Sequence, residues 1–187
     1  MNMYPKSGYH FQWHNPMHNN WNNNNWSYNW YPHYYNWNNN WNPYYRNIQL
    51  KDYGSKPFVV NIDKATKQNN TYRTALWTWK NLQVTLMSIN VGDDIGLEAH
   101  PTTYQFIHIE EGQGLVQMGD SKDKLDFREM AYDDYAIMIP AGKLHNVTNT
   151  GNTPLKIYVI YAPPEHPYGT VHETKEIAMS AEEKLHY

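Results

Sequence analysis

The chain reads as an all-β protein, a barrel or sandwich of short strands preceded by a low-complexity tail. Three observations predict this. Runs of aliphatic, aromatic and β-branched residues recur at roughly ten-residue spacing between residues 74 and 161, the rhythm of closed or two-layered β architectures. Gly92, Gly112, Gly114, Gly119, Gly142 and Gly151 punctuate those runs, several beside Asp or Asn, as reverse turns require. The composition also changes abruptly near residue 48: Leu, Ile and Val are absent before Ile48 and common after it.

Residues 1–47 cannot build a core. They are mostly Asn, Tyr, Trp, His and Pro, and they hold six of the eight tryptophans. They show neither an aliphatic stripe at helical period nor a clean alternation, and Asn disfavours helix and strand interiors. This Asn/aromatic composition predicts a disordered tail. Such a tail is either a passive extension or an adhesive segment. In the second case its rings stack on one another, on sugars or on a surface polymer, each aromatic pair worth about 0.5–1.5 kcal/mol and many pairs gaining avidity. His10, His14, His18 and His33 could take up metal weakly, although simple solvent exposure explains them as well.

Residues 48–187 are expected to form one folded domain. Residues 63–68 are helix-tolerant and predict one or two turns. Strand-type runs follow at 74–79, 82–90, 95–99, 104–110, 115–118, 127–132, 135–139, 145–148 and 155–161. Turn signals at Lys80-Asn81 and Gly92-Asp93 separate the first of them. The Ala/Glu/Lys-rich residues 175–184 predict a short C-terminal helix.

Several function classes are excluded or disfavoured. There is no cysteine, hence no disulfide framework, thiolate metal site or cysteine nucleophile. The formal charge is −3, and the domain is more acidic than the whole, since residues 1–51 carry Lys6, Arg46 and Lys51 and no acid. Nucleic acid is therefore not an expected partner. Residues 1–17 have no apolar h-region, so no secretory signal peptide is expected, and no apolar run approaches the roughly eighteen residues that span a bilayer. A cytoplasmic location is the expectation.

The chemistry concentrates in Glu98-x-His100-x4-Gln105, answered forty residues later by His145. Two imidazoles, a carboxylate and an amide are a plausible set of ligands for a divalent transition metal. Residues i and i+2 of a strand share a face, so Glu98 and His100 can both point inward. Pro101 then bends the chain and Gln105 returns on the next strand. His145 follows a Pro140-x-Gly142 corner, where glycine can adopt backbone angles closed to other residues. A lone strand histidine is ordinarily a satisfied or exposed residue. The paired spacing shifts His100 and His145 towards a ligand role, and an unpaired Glu98 inside a barrel would be costly. Gln105 either ligates weakly or orients water or substrate. Asn149 is expected to stabilise its turn, Tyr104 and His108 to face outward, and His166 and His172 to be loop residues.

The full spacings are Gly92-x5-Glu98-x-His100-x4-Gln105-x6-Gly112 and Pro140-x-Gly142-x2-His145-x3-Asn149. These resemble the two motifs of the cupin superfamily, and the likeness covers roughly residues 75–164. Within it the chain looks most like small single-domain bacterial cupins labelled mannose-6-phosphate isomerase-like. The resemblance implies a jelly-roll, or double-stranded β-helix, barrel. It also implies a ligand set of Glu98, His100, Gln105 and His145 for a divalent ion (Zn, Mn, Fe, Co or Ni) and pairing as a homodimer. Three positions depart from the family pattern: Glu98 stands where His is usual, Gln105 where Glu is usual, and Asp134 where a Gly opens the second motif. Phosphomannose isomerases of the cupin class mix Gln, His, Glu and His around zinc in a different order and are far longer. The motifs here also lack a phosphate-binding cluster of Arg and Lys.

Two classes of function follow as expectations. One is a metal-binding cupin that binds or transforms a small molecule, by isomerase-like Lewis-acid chemistry or by oxygen-dependent chemistry. The other is a non-catalytic structural protein, of spore-coat or surface-associated type, with the aromatic tail as its attachment segment. The fold class alone does not choose between them.

Overall fold

A computed structural model of the chain describes residues 47–183. The tail predicted over 1–47 lies outside these residues, except for Asn47. The order of elements is α1 (Ile62–Gln68), β1 (Arg73–Trp79), β2 (Leu82–Ile89), β3 (Tyr104–Glu111), β4 (Gly114–Gly119), β5 (Phe127–Ala131), β6 (Ala136–Ile139), β7 (Leu144–Asn149), β8 (Leu155–Ala162), β9 (Val171–His172) and α2 (Lys175–Glu183). Among the described residues, no helix is long and apolar enough to cross a membrane.

The strands form two antiparallel sheets, one in the order β6-β3-β8-β2-β1-β9 and the other β5-β4-β7. Period-2 alternation decides which side chains enter the space between them. On β3, Gln105, Ile107 and Ile109 are buried while Tyr104 is exposed. On β8 the inward row is Leu155, Ile157, Val159 and Tyr161, and on β7 His145, Val147 and Asn149 are buried. The core is therefore graded along its length. Ile89, Ile107, Ile109, Val116, Val147, Leu155 and Ile157 fill one end and the middle. At the other end the register sets Gln105 opposite Tyr161 and Tyr161 opposite Gln83, a row of polar tips.

A second cluster covers the outer face of the large sheet. Leu76, Leu86 and Ala65 are buried there beneath Ile48, Leu50, Phe58, Val60 and Ile62. Residues 48–62 thus act as a cover, which no alternation in them announced. Helix α1 starts at Asn61, whose side-chain oxygen accepts the Lys64 N–H at 2.9 Å, the usual way to satisfy an orphan donor of the first turn.

The run predicted as a strand over 95–99 is not continuous. It touches β7 only through isolated bridges, Asp94 to Thr148 and Glu98 to His145. Gly96 between them has φ +89°, so the chain cannot keep a regular pleat there. Strand β9, two residues long, escaped prediction because so short a run carries no period.

Candidate metal centre

The polar end of the barrel gathers the four predicted residues. The break at Gly96 ends in a hydrogen-bonded antiparallel pair: the Glu98 N–H donates to the His145 carbonyl at 3.0 Å, and the His145 N–H to the Glu98 carbonyl at 2.9 Å. Directly opposed residues of such a pair share a face, so the carboxylate lies beside the imidazole. Two residues on, the His100 carbonyl accepts the Gly142 N–H at 2.7 Å. Gly142 has φ +77°, and the Pro140-x-Gly142 corner thereby braces the chain next to His100 while delivering His145.

Glu98 Oε1 stands 3.3 Å from His100 Nε2 and 3.4 Å from His145 Nε2. One ligand atom from each of Glu98, His100 and His145 falls within 4.8 Å of the others. Gln105 is brought to the same place, its Nε2 donating to Glu98 Oε1 at 3.3 Å. His145 has no solvent exposure and Gln105 very little.

The imidazoles are oriented from behind. His145 Nδ1 lies 2.9 Å from the Lys143 carbonyl. A carbonyl only accepts, so Nδ1 carries a proton and Nε2 is the ring nitrogen left facing Glu98. His100 Nδ1 lies 3.1 Å from Glu165 Oε1. Neither Nε2 atom, nor Gln105 Oε1, has a well-formed hydrogen bond, although all three are buried. Buried polar atoms without partners are rare, and the two Nε2 atoms facing one carboxylate oxygen fit a cation held among Glu98, His100 and His145.

Burial works against the Glu98 carboxylate. The His100 and His145 imidazoles beside it, with the charge of Arg73, outweigh that penalty and hold its pKa well below the ordinary range. His100 is likewise opposed by burial, and Glu98 followed by Glu165 raises its pKa nonetheless. The site therefore favours positive charge between its carboxylates, whether a proton or a metal ion supplies it.

His108 faces outward and stacks on Tyr158, ring centres 5.1 Å apart. Asn149 donates to the carbonyls of Ile89 and Thr153, both at 2.9 Å, and accepts the Gly151 N–H, so it shapes the turn as expected. His166 lies in the loop after β8, as read from the sequence, but it does not face solvent. It is buried, with its ring edge-on to Tyr161 at 5.1 Å, and burial followed by the charge of Arg73 lowers its pKa to about 2. Three further residues went unread: Glu165, Arg73 and Gln83. For Glu165 and His166 the available signal was a Glu-His pair fenced by prolines immediately after an inward-facing strand end. Arg73 and Gln83 carried none. A surface cleft of about 720 Å³, lined in part by Gln113, Tyr132, Asp133 and Asn152, opens at the other end of the barrel and contains none of these side chains.

Comparison with known proteins agrees with this architecture. Residues 85–161 match the family described as cupin domain. The chain is 67% identical over 138 residues to the uncharacterized protein YrkC of Bacillus subtilis (strain 168), covering 74% of each. It is 37% identical over 115 residues to the uncharacterized protein L612 of Acanthamoeba polyphaga mimivirus, covering 61% of this chain and 70% of that one. The crystal structure of BH2720 from Bacillus halodurans superimposes with a TM-score of 0.69 at 65% identity, over 70% of this chain and 99% of the other. With two antiparallel sheets closed around the two matching motifs, the chain belongs to the cupin superfamily.

Proposed function

We propose that this cupin holds a divalent transition metal through Glu98, His100 and His145, with Gln105 at a fourth position, and uses the remaining positions of the ion to bind and transform a small chelating molecule. One observation carries this. Two buried Nε2 atoms with no well-formed hydrogen bond face one carboxylate oxygen, while both Nδ1 atoms are held from behind. Two histidines and a carboxylate with open positions are the donor set suited to non-haem iron and oxygen chemistry. Gln105 turns its amide N–H towards Glu98, which leaves those three as the strong donors. When bound, the ion would supply oxygen-dependent chemistry, or Lewis-acid polarisation of a carbonyl if it is zinc. Gln105 then steadies the Glu98 carboxylate, and the buried surround limits water.

The test is elemental analysis of untagged protein beside His100→Ala and His145→Ala. Wild type is expected to carry about one metal ion per chain above the level of either variant. Equal content in all three would overturn the proposal. Iron as the bound metal supports the oxygen-dependent chemistry; zinc supports the isomerase-like alternative.

A further inference from the structure

The segment 163–167 follows β8 and lies beyond the matched cupin domain, which ends at residue 161. A Pro-rich stretch leaving a strand would ordinarily run over the surface. Here it is fastened to the barrel interior by Gln83, a residue of β2 with no solvent exposure. The Gln83 Nε2 donates to Thr78 Oγ1 and to the His166 carbonyl, each at 2.9 Å. Its Oε1 accepts the N–H of Glu165 at 3.3 Å and of His166 at 3.0 Å. Those four bonds use both donors and both lone pairs of the amide. Further along, the Gly169 N–H donates to Asp52 Oδ2 at 2.9 Å, and the Tyr168 hydroxyl to the Asp52 carbonyl at 3.0 Å.

A Leu at position 83 would serve packing without requiring four matched partners. What the amide achieves is placement. It fixes the backbone on both sides of the Glu165–His166 peptide, and Glu165 reaches His100 Nδ1 at 3.1 Å. His166 wedges its ring against Tyr161, whose ring in turn stands edge-on to His100 at 5.9 Å. His100 is thus held on one side by a carboxylate and on another by an aromatic ring, and its Nε2 points to Glu98.

We propose that Glu165 is the positioning residue of the metal centre. Clamped by Gln83, its carboxylate accepts from His100 Nδ1–H, which sets the tautomer and ring orientation and makes Nε2 a stronger donor to the ion. This rests on the metal-site reading above. A carboxylate behind a ligating histidine characteristically contributes 10–100-fold in metal affinity.

The experiment is titration of the full-length apoprotein with Co(II), read by calorimetry and by the visible Co(II) spectrum, for wild type, Glu165→Ala, Glu165→Gln and His100→Ala. Thermal melts of the metal-free proteins run beside it. Glu165→Ala is expected to bind Co(II) about 10–100-fold more weakly, with an altered visible band and an apoprotein melting temperature close to wild type. Glu165→Gln keeps an acceptor for Nδ1–H without the charge, so it should fall between the two; it also stands in if the alanine variant does not fold. Co(II) binding by Glu165→Ala and Glu165→Gln within twofold of wild type, with unchanged spectra, overturns the positioning role while leaving the metal site intact. Failure of wild type to bind Co(II) in a manner dependent on His100 overturns both.

Discussion

His166 is displaced far from the ordinary titration of a histidine. Its pKa in the fold is about 2, against about 6.5 for an unfolded histidine. Below pH 6.5 the unfolded chain therefore binds a proton that the folded chain refuses. The stability that depends on neutral His166 is complete above that pH and falls as pH drops. At pH 5 the loss is about 2 kcal/mol, a figure unchanged for any folded pKa below about 4. His100 acts in the opposite sense: its pKa is raised, so its contribution is present below about pH 6.5 and is lost as pH rises through its folded value. Urea unfolding in the presence of chelator at pH 7.5 and pH 5 should show the difference. His166→Gln should lose about 2 kcal/mol less than wild type between the two, with His100 acting equally in both; parallel losses would refute this. Asp134 offers a second test. Its φ is +66°, at the position where the cupin motif has Gly. A non-glycine residue there costs on the order of 1 kcal/mol, and short polar Asp bears it better than most. Asp134→Gly should therefore raise stability by up to about 1 kcal/mol, measured by chemical denaturation. The departure from the motif was legible as a letter, but only the backbone angle explains which residues can replace Gly.

Helix α2 is tied to the barrel by few contacts. Lys175 bridges Asp93 at 2.7 Å and Asp94 at 2.6 Å, and Ala178 is buried in the main core. Asp94 itself is bridged to Thr148 of β7, so the helix is joined to the small sheet that carries His145. Burial raises the Asp94 pKa, but hydrogen bonds from Lys175 and Gly96 more than offset it and the net shift is downward. Its stabilisation is thus present above about pH 4 and lost as the solution becomes more acid. Lys175→Ala should cost about 1 kcal/mol, within the range of partly exposed ion pairs, and amides of α2 should exchange faster while those of β3 and β8 keep their protection. Uniform loss of protection across the domain would count against α2 as a separate unit. The elements themselves were largely readable. Runs of aliphatic, aromatic and β-branched residues between turn signals identified β1 to β8 within a residue or two, because both signals are local. The run at 95–99 was misjudged for the same reason: its apolar residues satisfy a strand pattern, while Gly96 breaks the pleat.

At the scale of the whole molecule, the barrel divides its interior between an apolar end and a polar end. Ile109, Leu155 and Ile157 carry the first, and Glu98, His100, Gln105, His145, Gln83 and His166 the second. The polar end buries charge that an ion would compensate, so metal binding and folding should be coupled. Metal at a hundred times its dissociation constant should add about 2.7 kcal/mol to stability, raising the melting temperature by several degrees, and chelator should reverse the gain. A melting temperature indifferent to both would contradict a site formed only in the folded state. The strand rhythm, the inward alternation of Gln105 and His145, and the spacing that marks a cupin are all legible in the order of residues. All of these depend on local period and on fixed intervals along the chain. Which groups stand behind the ligands follows from the closed barrel alone. Glu165 meets His100, and Gln83 meets His166 across 83 residues, because the two sheets close and the exit from β8 folds back over the polar end. No local pattern encodes that meeting, since it depends on where distant segments finish once the barrel has closed.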